Sequence, residues 1–316
     1  MQKGIVIKST GSWYQVKLTD QQIVKCRIVG RFRLDGLKVT NPVAVGDEVQ
    51  VEVDASQNDI TGTIRKILPR RNYVVRQSPR KKHAVHLLAS NVDQAVLIVT
   101  VVHPMLKQGF IDRFLLMTEP YNIPTIIVFN KADLYEAGDL NVFNYLKEIY
   151  ENIGYTVLLV SAVARTGIDE LKSLLLDKTS LISGQSGVGK STLVNSMEVG
   201  LQLRTQEISD SSGKGMHTTT FAEMHPLQPT GAIIDTPGIK TLSFNNLRPQ
   251  QVAHNFRDIF KYSSDCKYSD CMHRNEPQCA VKAAVEADEI SELRYMSYLT
   301  LLQEVEEQNY WERHNM

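Results

Sequence analysis

Alternating apolar and polar positions, rich in β-branched side chains, fill the first seventy or so residues in short runs at 4–9, 13–18, 22–30, 47–53 and 61–68. Five strands in so short a stretch predict a small closed β-barrel. An OB-fold is the commonest such solution, and a barrel with no binding role is the plainer alternative. After Ala84 the pattern changes. Nearly continuous apolar runs at 95–102, 125–130, 157–161, 181–183 and 232–235 alternate with helical periodicity at 111–119, 142–150, 168–176 and 190–197. That alternation predicts a doubly wound α/β domain with a buried parallel sheet, whose ligands gather at the carboxyl ends of the strands. Beyond Phe244, helical patterns at 281–286 and 291–307 follow a cluster of cysteines and a histidine. The expected division is therefore multidomain: a barrel at 1–69, an α/β core at 70–243 and a mostly helical unit at 244–316.

Composition narrows the choice. Lysine plus arginine equal aspartate plus glutamate at 35 each, so a polyanionic partner must be met through a local patch and not through net charge. The strongly apolar run at 95–102 falls far short of the ~20 residues needed to cross a bilayer. The amino terminus enters a strand pattern without the features of a secretory signal. A cytoplasmic, monomeric protein with no membrane partner is expected. One basic stretch, 65–82, carries Arg65, Lys66, Arg70, Arg71, Arg76, Arg80, Lys81 and Lys82 with no acidic residue. It reads as a solvated linker, or else as an RNA-tracking surface that uses Tyr73 together with Arg31, Phe32 and Arg33 of the barrel.

The chemistry lies in short motifs at strand ends. Gly184-Gln185-Ser186-Gly187-Val188-Gly189-Lys190-Ser191-Thr192 follows an apolar strand and opens a helix, the context a phosphate-binding P-loop requires. Its backbone N–H groups converge on phosphates, Lys190 reaches the β- and γ-phosphates, and the Ser191 hydroxyl can ligate Mg2+. By itself the loop serves ATP or GTP. Asp235-Thr236-Pro237-Gly238 ends another strand and brings a carboxylate toward Mg2+ and the Gly238 amide toward the γ-phosphate. Asn130-Lys131-Ala132-Asp133 decides the base. The Asp133 carboxylate accepts from guanine N1–H and the exocyclic amine, whereas adenine presents a lone pair there. Asn130 is expected at the major-groove edge of the base, the Lys131 methylenes over the ring, and Ser161-Ala162 at the guanine carbonyl. These guanine-reading motifs precede the P-loop, the reverse of the common order, and such a permutation is tolerated because domain termini lie close together.

Residues 206–220 have the composition of a loop that orders around ligand. Thr218, Thr219 and Thr220 all offer hydroxyls for Mg2+, with Thr219 preferred. Ile239 stands where many GTPases place a water-orienting glutamine and cannot do that work. His217 is the candidate replacement, and an idle loop histidine is the alternative. Cys266, Cys271, His273 and Cys279 supply three thiolates and an imidazole, a closed tetrahedral set suited to structural Zn2+, with a redox thiol pair or unligated core cysteines as the alternative.

Taken together, the barrel, Ile111-Asp112-Arg113-Phe114, Asn130 to Asp133, the P-loop, Met216-His217-Thr218-Thr219-Thr220, Asp235 to Gly238, and the cysteine cluster followed by Ala280-Val281-Lys282 resemble a known family. It is the ribosome small-subunit-dependent GTPase A family (RsgA/YjeQ-like), and the likeness covers nearly the whole chain. The resemblance implies an OB-fold domain, a circularly permuted GTPase core and a zinc-binding carboxyl-terminal domain. It implies that GTP is hydrolysed to GDP with stimulation by the small ribosomal subunit, that rRNA is a partner, that late maturation of that subunit is assisted, and that His217 is catalytic. A GTP-dependent checkpoint scaffold with incidental hydrolysis is the rival reading. An ATP-dependent enzyme is opposed by Asp133.

Overall fold

The computed structural model describes residues 1–28, 41–54, 60–77, 85–107, 109–197, 222–236 and 247–314. Strands β1 (Gln2–Ser9), β2 (Tyr14–Leu18), β3 (Ile23–Ile28), β4 (Glu48–Asp54) and β5 (Thr61–Ile67) form the expected barrel. They pair in the order β1-β2-β3-β5-β4, and β4 returns to β1, so the sheet closes. Only β3–β5 among these pairs is parallel. Alternation decides which side chains fill the barrel: Val6, Val16, Val24, Val49, Val51 and Ile64 are fully buried while Gln15, Lys17, Lys25 and Arg27 face outward.

The described part of the stretch read as a linker or RNA surface, residues 65–77, is built into the fold. A hairpin of β6 (Tyr73–Gln77) and β7 (Val85–Ser90) follows the barrel. Three arginines of the basic run have acidic partners: Arg65 pairs with Glu52 at 2.6 Å, Arg71 with Asp93 at 2.9 Å, and the nearly buried Arg70 with Asp47 at 2.6 Å. Asp47 is fully buried and also accepts from Ser90 Oγ at 2.6 Å and the Ala44 amide at 2.8 Å. A buried carboxylate with every neighbour donating to it locks the barrel to the hairpin.

The α/β core has parallel strands β8 (Gln94–Val99), β9 (Thr125–Phe129), β10 (Thr156–Leu159), β11 (Thr179–Gly184) and β13 (Ala232–Asp235), with antiparallel β12 (Glu223–Pro226). Their spatial order is β10-β9-β8-β11-β13-β12, and β12 joins barrel strand β1 through Lys8 and Glu223. Helices α1 (Phe110–Thr118) and α2 (Ala137–Asn152) pack on the face presenting Leu97, Ile127, Leu181 and Ile234. Helices α3 (Ile168–Leu175) and α4 (Lys190–Met197) cover the other face, with Val96, Ile98, Val128 and Ile182. The strands read as unbroken apolar runs because both faces are covered.

The carboxyl-terminal unit contains α5 (Pro249–His254), α6 (Arg257–Ser263), α7 (Ala280–Glu286) and α8 (Glu292–His314). Val252, Phe256, Ile259, Val281, Tyr298 and Leu301 continue the apolar cluster that α1 and α2 start. At its centre the buried Arg294 guanidinium meets Asp258 at 2.9 and 2.8 Å and Asp112 of α1 at 2.5 Å, while Tyr150 OH donates to Asp112 at 2.7 Å. Arg113, the next residue of α1, binds Glu304 of α8 through both terminal nitrogens. These pairs fasten the unit to α1. Among the described residues, no helix is long and apolar enough to cross a membrane.

Candidate nucleotide site and metal centre

The carboxyl ends of β8, β9, β10, β11 and β13 share one sheet edge, and three of the expected motifs converge there. Strand β11 ends at Gly184, the chain turns through Gln185 to Gly189, and α4 begins at Lys190. Two glycines of the turn are dictated by close approach. A Cβ on Gly184 would lie 2.2 Å from the Ile98 carbonyl oxygen, and one on Gly189 would lie 2.6 Å from Asn130 Nδ2. Val188 is buried and anchors the turn, whereas Ser186 and Gly187 are exposed.

Asn130 is the joint of the site. Its side chain is 1% exposed; Nδ2 donates to the Val188 carbonyl at 2.9 Å, and Oδ1 accepts from the Ala162 amide at 3.3 Å. One carboxamide thus ties the Asn130–Asp133 motif to both the Ser161-Ala162 turn and the P-loop. With one bond made at each end, the carboxamide keeps a second N–H and a second lone pair, so holding the loops leaves it able to meet the edge of the base as well. Beside it, the Ala132 amide donates to the Val160 carbonyl at 3.1 Å, which fixes the motif to the end of β10. Ser161 Oγ, itself buried, donates to Asp133 Oδ1 and accepts from the Ala164 amide at 2.9 Å, so the exposed Asp133 carboxylate is aimed from one side.

Tyr135 was not singled out by any motif. Its hydroxyl donates to the Asn130 carbonyl at 3.0 Å and accepts from the Val101 amide at 2.8 Å, and burial pushes its pKa up to about 12. Lys131 adopts a left-handed φ of 66° and its ammonium donates to the His103 carbonyl at 2.5 Å. Partial burial lowers its pKa, and the neighbouring Asp133 carboxylate opposes that.

Lys190 folds over the P-loop and donates to the Gly184 and Gln185 carbonyls at 3.0 and 2.6 Å. Burial lowers its pKa to about 8, with the Asp235 carboxylate pulling the other way. Asp235 is 3% exposed, at the end of β13 in register with Ile182 of β11, and Thr236 Oγ1 donates to the Ile182 carbonyl at 3.1 Å. Ser191 is half-buried in the first turn of α4, and Thr192 is exposed. A buried carboxylate and a P-loop hydroxyl are the oxygen donors that Mg2+ favours. His217, Thr218, Thr219, Thr220 and Gly238 lie outside the described residues, as do Arg31, Phe32 and Arg33.

The metal candidate is a second cluster. The ligand atoms of Cys266, Cys271, His273 and Cys279 all lie within 4.8 Å of one another. Cys266 Sγ and Cys279 Sγ are each 3.5 Å from His273 Nδ1 and 3.9 Å from each other. A tetrahedron with Zn–S and Zn–N bonds of ordinary length has edges of about 3.8 Å between sulfurs and about 3.6 Å from sulfur to nitrogen. The three separations among Cys266, His273 and Cys279 match such edges, and three thiolates with one imidazole are a donor set that fits Zn2+. Supporting bonds hold the loop: Glu276 accepts from the Met272 and Arg274 amides at 2.8 and 2.7 Å, and Tyr295 and Tyr298 of α8 donate to the His273 and Met272 carbonyls at 2.7 and 2.9 Å.

Comparison with known proteins agrees with this architecture. The model of the RsgA GTPase matches residues 67–245, and that of the RsgA N-terminal domain matches residues 3–64. Small ribosomal subunit biogenesis GTPase RsgA from Bacteroides fragilis is 48% identical over 98% of this chain and 98% of its own length. RsgA 2 from Bacteroides thetaiotaomicron is 49% identical with the same coverage. The crystal structure of YjeQ from Thermotoga maritima superposes with a TM-score of 0.75 at 35% identity, covering 96% of this chain and 98% of that one. That of YloQ, described as a circularly permuted GTPase, superposes at 0.71 and 30% identity, covering 98% of this chain and 96% of that one. With its barrel, its permuted core and its cysteine-histidine cluster, the chain belongs to the RsgA GTPase family.

Proposed function

We propose that this protein binds GTP at the edge formed by β9, β10, β11 and β13, hydrolyses it to GDP and phosphate, and uses the cycle to engage and leave the small ribosomal subunit during its late maturation. The observation that carries this is the Asn130 carboxamide, which joins a guanine-selective carboxylate to a phosphate loop within one buried hydrogen-bonded unit. Asp133 and the Ser161-Ala162 turn take the base, and the amides from Gln185 to Thr192 take the phosphates. Lys190 transfers its bonds from the Gly184 and Gln185 carbonyls to the β- and γ-phosphates. Ser191, Thr219 and Asp235 would hold Mg2+, which neutralises charge on the phosphate oxygens. The Gly238 amide faces the γ-phosphate, and His217 orients the attacking water; His217→Ala lowers turnover without loss of GTP affinity, and equal turnover would reject that role.

Cys266, Cys271, His273 and Cys279 hold one structural Zn2+. To the RNA surface read at 65–82 with Tyr73, Arg31, Phe32 and Arg33, the barrel adds Trp13, whose ring lies 3.8 Å from the Arg27 guanidinium and 4.6 Å from the Lys25 ammonium. With Lys17 exposed beside them, this outer face of β2 and β3 combines stacking surface with positive charge that forms no ion pair among the described residues. The protein acts on the small ribosomal subunit in the cytoplasm, as a monomer. The test is GTP turnover with and without purified small subunits. A GTPase of this kind accelerates on the subunit; an unchanged rate would favour the scaffold reading.

A further inference from the structure

Strand β8 lies between β9, which carries the base-reading motif, and β11, which carries the phosphate loop. Neighbouring strands are about 4.8 Å apart, so a nucleotide reaching from β9 to β11 spans about 10 Å and sets its sugar over the end of β8. The chain emerging there is a built turn. Thr100 Oγ1 donates to the Pro104 carbonyl at 2.7 Å, the Leu106 amide to the Val101 carbonyl at 3.1 Å, and the Val101 amide to Tyr135 OH at 2.8 Å.

Both edges of the gap touch this turn. Lys131 donates its ammonium to the His103 carbonyl at 2.5 Å, and Pro104 Cδ lies 3.8 Å from where a Gly187 Cβ would be. At the tip, His103 has a φ of 54°, a left-handed conformation that a residue with a Cβ adopts at a cost. Such strain persists where the surrounding structure enforces it, and it gathers at ligand sites. The imidazole is exposed and makes no hydrogen bond to another described residue.

We propose that His103 is a nucleotide-positioning residue that hydrogen-bonds the ribose hydroxyls of the bound guanine nucleotide. An imidazole donates at one nitrogen and accepts at the other, which suits a vicinal diol. The proposal rests on the nucleotide pose given above, so its test separates the two. GDP and 2′,3′-dideoxy-GDP are titrated calorimetrically into the wild-type protein, His103→Ala, His103→Asn and Met105→Ala. Asparagine tolerates the left-handed conformation, so that variant withdraws the ring while keeping the backbone.

One neutral hydrogen bond corresponds to about a two- to tenfold change in affinity. His103→Ala therefore loses about that factor for GDP and almost nothing for the dideoxy nucleotide. His103→Asn, whose shorter carboxamide also donates and accepts, loses no more than that, and Met105→Ala, exposed on the same turn, behaves as wild type. In His103→Ala, a loss equal for both nucleotides, or no loss for either, overturns the sugar contact while leaving the base and phosphate assignments standing. A wild-type protein that fails to bind GDP overturns the underlying pose.

Discussion

Replacing Asn130 by aspartate changes one atom type and reverses one bond. In the native chain Nδ2 donates to the Val188 carbonyl at 2.9 Å and Oδ1 accepts from the Ala162 amide at 3.3 Å, in a side chain 1% exposed. Asn130→Asp keeps the acceptor for Ala162 but turns the other end into an oxygen facing a carbonyl oxygen. The lost hydrogen bond is worth about 1 kcal/mol, and a buried charge without a donor raises the total to about 3–5 kcal/mol at alkaline pH. The substituted carboxyl escapes part of this cost by protonating, since burial beside a carbonyl raises its pKa, and the neutral O–H then donates to Val188. A group whose folded pKa lies above its unfolded value binds more protons in the native state, so its stability contribution is present at low pH and lost as pH rises through that pKa. Urea unfolding at about pH 5.5 and about pH 8.5 measures this directly. The variant falls furthest behind wild type at the alkaline value and recovers most of the loss at the acidic one. A deficit under about 1 kcal/mol, or one independent of pH, would refute the joint assigned to Asn130. Asn130→Ala supplies the contrast, for it leaves two backbone groups without partners at about 1–3 kcal/mol each and has no proton to recover.

Three further outcomes follow from other parts of the structure. Lys190 has a pKa of about 8 here, and phosphates must raise it, so GDP affinity stays flat below about pH 8 and falls up to tenfold per pH unit above it; calorimetry giving a constant Kd to about pH 9.5 would oppose this. Removal of zinc by a chelator, confirmed by metal analysis, lowers the unfolding midpoint of the carboxyl-terminal unit, and unchanged stability after proven removal would exclude a structural site. Arg294→Met leaves Asp112 and Asp258 buried without their cation and costs about 3–5 kcal/mol in denaturant unfolding; a loss under about 1 kcal/mol would mean the pair does not join α1 to the terminal helices.

What the sequence disclosed and what it hid divide along a physical line. Period-two alternation and long apolar runs are local properties, and they located the five barrel strands and the buried strands of the core to within a few residues. Motifs with short internal spacing were equally legible, including four metal donors whose ligand atoms the fold gathers within 4.8 Å. The hairpin β6-β7 was concealed because its approach looked like a solvated basic linker. The carboxylates that neutralise Arg70 and Arg71 stand 23 and 22 residues away in opposite directions along the chain. Helices α5 and α6, of 6 and 7 residues, offer fewer than two turns of periodicity and passed unnoticed, whereas α7, also of 7 residues, was legible at 281–286. Asp112 and Arg294 are separated by 182 residues, and nothing near either one announces the other.

Asn130 combines both cases. Its motif marks it as a functional residue, yet the work of its side chain depends on a carbonyl 58 residues further on, brought close by the strand order β9-β8-β11. Rearranging the chain order of the motifs leaves those spatial neighbours intact, because the contacts depend on which strand ends adjoin and not on which strand is made first. A permuted core can therefore retain one nucleotide edge while it frees its two chain ends for a barrel on one side and a helical unit with its Cys3His cluster on the other. The buried pairs Asp47–Arg70 and Asp112–Arg294 then fasten each addition to the body that carries the edge.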